Sequence, residues 1–387
     1  MAGPVRHPLR AAPPLALALL AVCALLLAGC RREPQPPAGF QRIPREAAGA
    51  PRAYQIGFSA LPAELTDAAY LASFDLAANY GELLLIQRAP AWADFMPGRS
   101  PSDQLNDATL RERAALQERG LQLLYALDPF DPADRGRLAS PPPGYASKQL
   151  SDGDLRHAYV LNARYIALNY RPAYMALGTE VNATFERDPA AYRAFVEAYA
   201  EVYRAVREAS PETRVFVTFQ YEQLLGIVPW EPPHVPRWEL LDDFAGRLDL
   251  FAITTFPSFV YQVARKVPPR YYSQLREHSS APVAFAAAGY ASSAGRDGLN
   301  SSTAAEQRRF LQRLLRDADE LGAALVVWFA GRDPAFATQP PYDLLASIGL
   351  RTADDRPKEG WPVWEEAVRR PFDPSTPPVP QTPQPEQ

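Results

Sequence analysis

Eight short apolar segments, separated by longer stretches of helical pattern, are the feature that most constrains the fold of this chain. Each segment has five to seven residues and is nearly continuous in its apolar character, which is typical of strands buried on both faces of a parallel sheet. The segments lie at residues 54–59, 82–87, 121–126, 173–178, 214–219, 248–254, 282–286 and 324–329. Parallel strands need crossover connections, so this spacing predicts an α/β protein.

Amphipathic segments fill the connections between these strands. The clearest helical patterns cover residues 66–79, 105–119, 152–169, 189–208 and 303–321. Three of them begin with strong start signals, which favour a helix N-terminus: Thr66 before an acidic residue, Asp188 before a proline, and Ser301 and Ser302 with Glu306 downstream. Eight strands that alternate with helices predict a closed (β/α)8 TIM barrel, which would occupy residues 53–370 as one domain.

The N-terminal segment predicts export and lipid anchoring. Arg6 and Arg10 precede a short apolar run at residues 15–27, and small residues follow it, as in a secretory signal peptide. The run is too short for a membrane-spanning helix, which needs roughly 20 residues. Residues 27–30, which read LAGC, resemble the lipobox of bacterial lipoproteins. The resemblance implies a signal peptide at residues 1–29, a lipid on Cys30 and a location in the cell envelope, with an outer-membrane address favoured by the Arg that follows.

The two flanks of the predicted barrel have the composition of unstructured chain. Residues 30–52 are rich in Pro, Arg, Ala and Glu, which predicts a flexible tether. Residues 371–387 are rich in Pro and almost without apolar side chains, which predicts a disordered tail.

Composition also excludes several classes of function. Cys23 lies in the predicted signal peptide and Cys30 is the predicted anchor, so we expect neither a disulfide nor a cysteine nucleophile. The remaining histidines of the exported chain are widely spaced, so we expect no metal site and no cofactor. Nucleotide-binding glycine motifs are absent and the formal charge is −4, so we expect no nucleic-acid partner.

The residues just after each predicted strand are the candidates for a functional site, because TIM barrels place their sites at the C-terminal ends of the strands. Many of these residues are aromatic and a few are carboxylates. Sugar rings stack on aromatic side chains and hydrogen-bond to carboxylates and amides, so the predicted partner is a poly- or oligosaccharide. The predicted substrate-binding residues are Arg88, Trp92, Asp128, Thr179, Asn182, Tyr221, Phe256, Tyr290 and Trp328, and Phe95 and Phe130 complete the aromatic set.

Four of these strand ends resemble the clan A glycoside hydrolases, which are (β/α)8 barrels, and look nearest to the arabinogalactan endo-β-1,4-galactanases. The fourth strand ends in GTEVN at residues 178–182, the sixth in ITTFP at 253–257, and the seventh reads PVAFAAAGY at 282–290. The eighth strand ends in Trp328. The resemblance implies that Glu180 is the general acid/base and that Trp328 lies beneath the reacting sugar.

Three positions depart from the family pattern around one sugar subsite. Ala287 stands in place of the family's nucleophilic Glu, Thr179 in place of an Asn that holds the sugar 2-hydroxyl, and Phe256 in place of a Tyr. A retaining glycosidase needs two carboxyl groups about 5–5.5 Å apart, and an alanine methyl group cannot attack the anomeric carbon. The first hypothesis is therefore a lipid-anchored barrel that binds a glycan without the retaining mechanism.

Two alternatives stay open. An active glycosidase would pair Glu180 as the acid with a carboxylate from another strand end, and an inverting enzyme tolerates a separation of about 6.5–9.5 Å. The candidates for this second carboxylate, in order, are Glu222, Asp128, Asp297 and Asp333. An envelope scaffold protein would use the same fold without the site, because TIM barrels host many unrelated functions.

Overall fold

The computed structural model describes residues 39–295 and 300–379. The predicted signal peptide, the predicted lipidation site Cys30 and the candidate carboxylate Asp297 lie outside these residues. Within the two described ranges, every helix is too short or too polar to cross a bilayer. In the same ranges, no three His, Cys, Asp or Glu side chains converge as metal ligands would.

Nine parallel strands form one sheet, in the order β5-β4-β3-β2-β1-β9-β8-β7-β6. They are β1 (Gln55–Ser59), β2 (Leu83–Arg88), β3 (Gln122–Leu127), β4 (Tyr174–Leu177), β5 (Arg214–Phe216), β6 (Thr218–Gln220), β7 (Phe251–Thr255), β8 (Val283–Ala288) and β9 (Leu325–Trp328). Only Val217 separates β5 from β6, so these are two halves of the fifth barrel strand, and the barrel closes through them. The predicted (β/α)8 barrel is confirmed.

The longer helices follow the predicted pattern to within two residues at each end. They are α1 (Asp67–Asn79), α3 (Asp103–Arg119), α4 (Gly153–Tyr170), α6 (Pro189–Ala209) and α9 (Ala304–Leu321). Shorter helices are α2 (Trp92–Phe95), α5 (Val181–Arg187), α7 (Tyr221–Leu224), α8 (Leu275–His278) and α10 (Trp361–Arg369). Two of the three start signals act as caps, because the Thr66 hydroxyl accepts from the third residue of its helix and the Asp188 carboxylate accepts from two backbone N–H groups. The third is wrong by one or two residues, because Thr303 caps α9 and accepts from the Glu306 N–H, in place of Ser301 or Ser302.

Alternate strand residues face two separate cores. Leu85, Leu124 and Val327 belong to the core that fills the barrel, whereas their neighbours Ile86 and Trp328 pack outward against the helices. Successive side chains of a strand point to opposite faces. This alternation therefore decides which strand-end side chains can reach the barrel mouth.

The ordered chain extends past both predicted boundaries of the barrel, residues 53 and 370. Arg52 and Phe372 form a parallel bridge, and the Ala48 N–H donates to the Arg369 carbonyl at 3.0 Å. Further on, the Val379 N–H donates to a carbonyl of α9. Backbone hydrogen bonds therefore pair parts of the predicted tether and of the predicted tail with the domain.

Arg52 connects this N-terminal flank to the barrel. Its side chain is fully buried, its Nε donates to the Ala367 carbonyl at 3.2 Å, and its guanidinium also binds the Tyr54 carbonyl and the Glu82 carboxylate. A buried cation of this kind is stable only because every partner is present.

We predict that Arg52→Ala lowers the free energy of unfolding by about 3 kcal/mol, because it empties a fully buried site and removes one donor from Glu82 and from each of two carbonyl groups. Urea denaturation followed by circular dichroism measures this change. Arg356→Ala is the control, because Arg356 is exposed and pairs only across the surface with Asp354, and we expect no measurable change from it. Equal stability of the two variants would show that the N-terminal flank is not part of the cooperative domain.

Candidate active site

Glu180 lies in a tight turn between β4 and α5. The backbone turns through Gly178 with φ of +102° and Glu180 with φ of +51°, and this left-handed conformation is strained for a residue other than glycine. The Thr218 hydroxyl accepts from the Glu180 N–H at 2.9 Å and so holds the turn from β6. On the other side, the Glu180 carboxyl accepts from the Thr254 hydroxyl of β7 at 2.7 Å. The turn therefore directs the carboxyl group across the barrel mouth.

A buried ion pair fixes the peptide before Glu180. Arg135 Nη1 donates to Asp128 Oδ2 at 2.7 Å, and a second nitrogen of Arg135 donates to the Thr179 carbonyl. Asp128 Oδ1 accepts from the Thr179 N–H at 3.4 Å. Thr179 is thus held at both its N–H and its carbonyl. Asp128 was predicted to contact substrate, but its oxygens bind the protein, and its role in this structure is to position Glu180.

Burial raises the pKa of the Glu180 carboxyl above its ordinary value. The Arg135 charge and the Thr254 hydroxyl lower that pKa, and the Asp128 charge adds to the increase. Glu180 nevertheless remains partly exposed at the mouth. A carboxyl group that keeps its proton closer to neutral pH is suited to donate a hydrogen bond or a proton to a ligand.

The strand beside Thr254 presents only methyl groups to the barrel interior. Thr254 lies in register with Ala287. The register of β8 is irregular at this point, so both Ala286 and Ala287 belong to the interior core, with exposed fractions of 3% and 5%. From β7 and β8, Glu180 therefore faces one hydroxyl and a small apolar surface.

Glu222 lies on the outer side of β7, away from Glu180. Its carboxylate accepts four hydrogen bonds, from Thr255 Oγ1 at 2.6 Å, Gln220 Nε2 at 2.6 Å, Phe256 N at 3.1 Å and Tyr271 Oη at 3.2 Å. Burial raises the pKa of Glu222, and these donors oppose the increase. Because Thr254 and Thr255 point to opposite faces of β7, the strand separates the two carboxyl groups. The structure contradicts the predicted pairing of Glu180 with Glu222.

The other candidates for a second carboxylate are also held by the protein. Asp333 pairs with Lys358 at 2.6 Å and accepts from the Gly349 N–H at 2.9 Å. Asp128 is engaged by Arg135, as described above. Within the described ranges, each of these candidates is therefore engaged by other groups of the protein.

Four aromatic residues that were predicted to bind sugar belong to the outer core instead. Their rings are buried, and their polar atoms donate to backbone carbonyls: Trp92 to Ala139 at 2.8 Å, Tyr221 to Tyr271 at 2.6 Å, Tyr290 to Tyr261 at 3.1 Å and Trp328 to Ile348 at 2.8 Å. Phe95 and Phe130 are buried as well. A ring that is packed on both faces cannot stack on a sugar, so these predictions are corrected.

Arg88 and Asn182 are likewise structural. Arg88 faces outward and pairs with Glu112 on α3. Asn182 makes two hydrogen bonds with the backbone of Gln220, donating to its carbonyl at 3.0 Å and accepting from its N–H at 2.8 Å. Neither side chain has the freedom to contact a ligand at the mouth.

Two side chains that the sequence analysis missed do reach the mouth. Gln87 occupies an inward position of β2, in register with Ala126, and it is exposed. Phe329 follows Trp328, is partly exposed, and lies 5.8 Å from the predicted residue Phe256 between ring centroids. Strand alternation is the signal that could have found both, because each is the immediate neighbour of a predicted residue.

The hydrogen bonds of the two glutamates lead to a stability prediction. Glu222→Gln places an amide NH2 group among N–H and O–H donors, so we expect the free energy of unfolding to fall by about 2 kcal/mol. Glu180→Gln is the matched comparison, and it should cost less than about 1 kcal/mol because the Thr254 hydroxyl can also accept a hydrogen bond. Urea denaturation at neutral pH compares them. A larger loss for Glu180→Gln would contradict the structural role of Glu222.

No protein-family model and no curated protein matches the chain, but several solved structures share its fold. The chain is similar to exo-β-1,4-mannosidase Op5Man5 from Opitutaceae bacterium strain TAV5, with a TM-score of 0.62 and 21% identity. The similarity covers 86% of this chain and 62% of that one, so this chain spans less than two thirds of that protein's length. It is also similar to GH5_18 from Streptomyces cattleya in complex with GlcNAc, with a TM-score of 0.61 and 18% identity over 86% and 83% of the two chains. A GH5_18 variant from Bifidobacterium longum subsp. longum ATCC 55813 in complex with Manβ1-4GlcNAc gives a TM-score of 0.59 and 14% identity over 81% and 78%. At these identities the similarity shows a shared (β/α)8 barrel.

Proposed function

We propose that this protein binds a poly- or oligosaccharide at the barrel mouth around Glu180, without the two-carboxylate retaining mechanism. One observation carries the proposal: the Glu180 carboxyl, whose pKa is raised, faces the methyl groups of Ala286 and Ala287 across β7 and β8. A site with one positioned carboxyl group can bind sugar hydroxyls, but it lacks the attacking group that a covalent intermediate requires.

The polar groups on the β2–β4 side of the mouth support this proposal. Glu180 offers a carboxyl group, Gln87 an exposed amide, and Thr179 a buried hydroxyl that has no hydrogen-bond partner within the described residues. Such groups match the donors and acceptors of a sugar ring. After β9, Phe329 adds a partly exposed aromatic ring next to Phe256.

The neighbours in structure support the choice of ligand class. One is named an exo-β-1,4-mannosidase, and two others are described in complex with GlcNAc or Manβ1-4GlcNAc. These names make β-linked disaccharides of mannose and GlcNAc the first probes for this chain. The resemblance to arabinogalactan endo-β-1,4-galactanases stays a prediction, and arabinogalactan fragments belong in the same screen.

A second candidate function, an envelope scaffold, is favoured by the loop after β9. Leu344, Leu345 and Ile348 pack against the interior core near Phe256, and the ideal Cβ of Gly289 would lie within 3.5 Å of Ile348. This loop therefore packs against the interior core beside β7 and β9. If the mouth bound no sugar, this packing would serve stability alone.

We expect the full-length protein in detergent to bind a member of a glycan panel that includes Manβ1-4GlcNAc, without releasing hydrolysis products. Gln87→Ala should weaken that binding about tenfold, because it removes one hydrogen-bonding group at the mouth. Gln122→Ala is the matched control, because Gln122 is exposed at the opposite end of the barrel. Isothermal titration calorimetry measures the affinities, and chromatography of the incubated glycan detects products.

Other outcomes of this screen would overturn the proposal. Products that disappear in Glu180→Gln would establish an enzyme whose second catalytic group lies elsewhere. Absence of binding to the whole panel would favour the scaffold. Equal weakening by Gln87→Ala and Gln122→Ala would place the ligand outside the mouth.

We also propose that the protein is attached to a membrane of the cell envelope, with the outer membrane favoured, through a lipid on Cys30. The support is the lipobox-like sequence at residues 27–30, after a short apolar run. Acyl chains on an exported N-terminus hold a protein at the bilayer surface.

Cys30→Ala should therefore move the protein from the membrane fraction to the soluble fraction, because the lipid can no longer be attached. Cell fractionation with immunoblotting measures the distribution. Cys23→Ala is the matched control, because Cys23 lies inside the predicted signal peptide, and the distribution should not change. Membrane retention of the Cys30→Ala protein would contradict the anchor.

A further inference from the structure

We infer that Trp230 forms an outer sugar-binding subsite, so that the ligand at Glu180 is an oligosaccharide chain and not a single sugar. This inference rests on the proposed glycan-binding function. It adds a binding residue at a distance from the carboxyl group and states how the ligand runs across the barrel face.

The loop that carries Trp230 is held in place while its indole ring is exposed. The ring is 54% exposed. Two contacts close the loop across Trp230. Gln223 Nε2 donates to both carboxylate oxygens of Glu231, at 2.7 and 2.8 Å, and the His234 N–H donates to the Gly226 carbonyl at 3.3 Å. Two consecutive prolines between these anchors restrict the backbone further. The exposed position of the ring is therefore built into the loop.

A continuous row of aromatic rings joins Trp230 to the barrel mouth. The Trp230 ring centroid lies 6.1 Å from the Phe259 ring centroid. The Phe259 centroid lies 5.7 Å from the Phe256 centroid, and these two rings are inclined by 18°. Phe256 in turn lies 5.8 Å from Phe329 and is two residues from Thr254, the partner of Glu180. The two inner rings, Phe256 and Phe259, are buried. The row thus exposes an aromatic surface at each end, at the mouth and at Trp230.

The isolation of Trp230 favours a sugar over a protein as its ligand. A protein interface buries many residues and needs a contiguous surface of about 800 Å² on each partner. In the same loop the other large exposed apolar side chain is Val235, at 78%, and polar or proline residues separate the two. A single flat ring of this size matches the C–H face of one pyranose. Because the inner rings Phe256 and Phe259 are buried, a sugar chain would contact this row only at its exposed ends, Phe329 at the mouth and Trp230.

Chain-length dependence of binding tests this inference. The probes are mannose and the β-1,4-linked mannooligosaccharides from mannobiose to mannopentaose, titrated calorimetrically into full-length wild-type protein, Trp230→Ala, Trp230→Phe and Val235→Ala. We expect Trp230→Ala to weaken mannopentaose binding about tenfold, as truncation of a stacked aromatic does, and to change mannose binding by less than about twofold. Trp230→Phe should retain part of the affinity, and Val235→Ala should behave as wild type.

The outcomes separate this inference from the function on which it rests. Wild-type protein that binds none of these sugars overturns the proposed glycan function for this class, and the subsite with it. Wild-type binding with the same chain-length dependence in Trp230→Ala overturns the subsite alone. Equal weakening for mannose and mannopentaose also overturns it, because Trp230 would then act on the site at Glu180 itself. Denaturation midpoints of the variants identify any loss that comes from unfolding.

Discussion

The alternation of side chains along a closed barrel strand is the constraint on which the whole site depends. In a closed sheet every strand residue faces either the interior or the helices, so neighbours in sequence have different surroundings. On β7 this rule sends the hydroxyl of Thr254 to Glu180 and the hydroxyl of Thr255 to Glu222. The two threonines are adjacent in sequence, yet the glutamate bound to one lies at the mouth and the glutamate bound to the other lies in the helical layer.

The surroundings of the buried carboxylates show why Glu180 differs from the rest. Glu222 accepts four hydrogen bonds, Asp128 and Asp333 pair with buried cations, and Glu112 binds Arg88 together with two tyrosines. Each of these groups is fully occupied by the protein, as buried charges normally are. Glu180 instead has one hydroxyl partner for its carboxyl group and is partly exposed. A carboxyl group in that condition is available to a ligand.

The eight strands could be predicted from sequence because each is an unbroken apolar run, and the helices because caps and amphipathic patterns mark them. The same unbroken runs concealed which residues face inward, since strands buried on both faces carry no polar alternation. The site predictions therefore failed by one residue in two places: Arg88 was chosen where Gln87 reaches the mouth, and Trp328 where Phe329 does. The partners that remove Asn182 and Glu222 from the site come from distant strands, and no local pattern shows them.

The strained turn at Glu180 argues for a ligand even though Ala287 offers no nucleophile. A left-handed residue other than glycine costs of the order of 1 kcal/mol or more, and here the Asp128–Arg135 pair and Thr218 hold it in place. For stability alone, a glycine at position 180 would make the same turn without strain and without a partly buried carboxyl group. The arrangement therefore makes physical sense if the carboxyl group contributes binding energy to something outside the protein. The exposed rings of Phe329 and Trp230, at the two ends of the aromatic row, are the further contacts that we propose for that ligand.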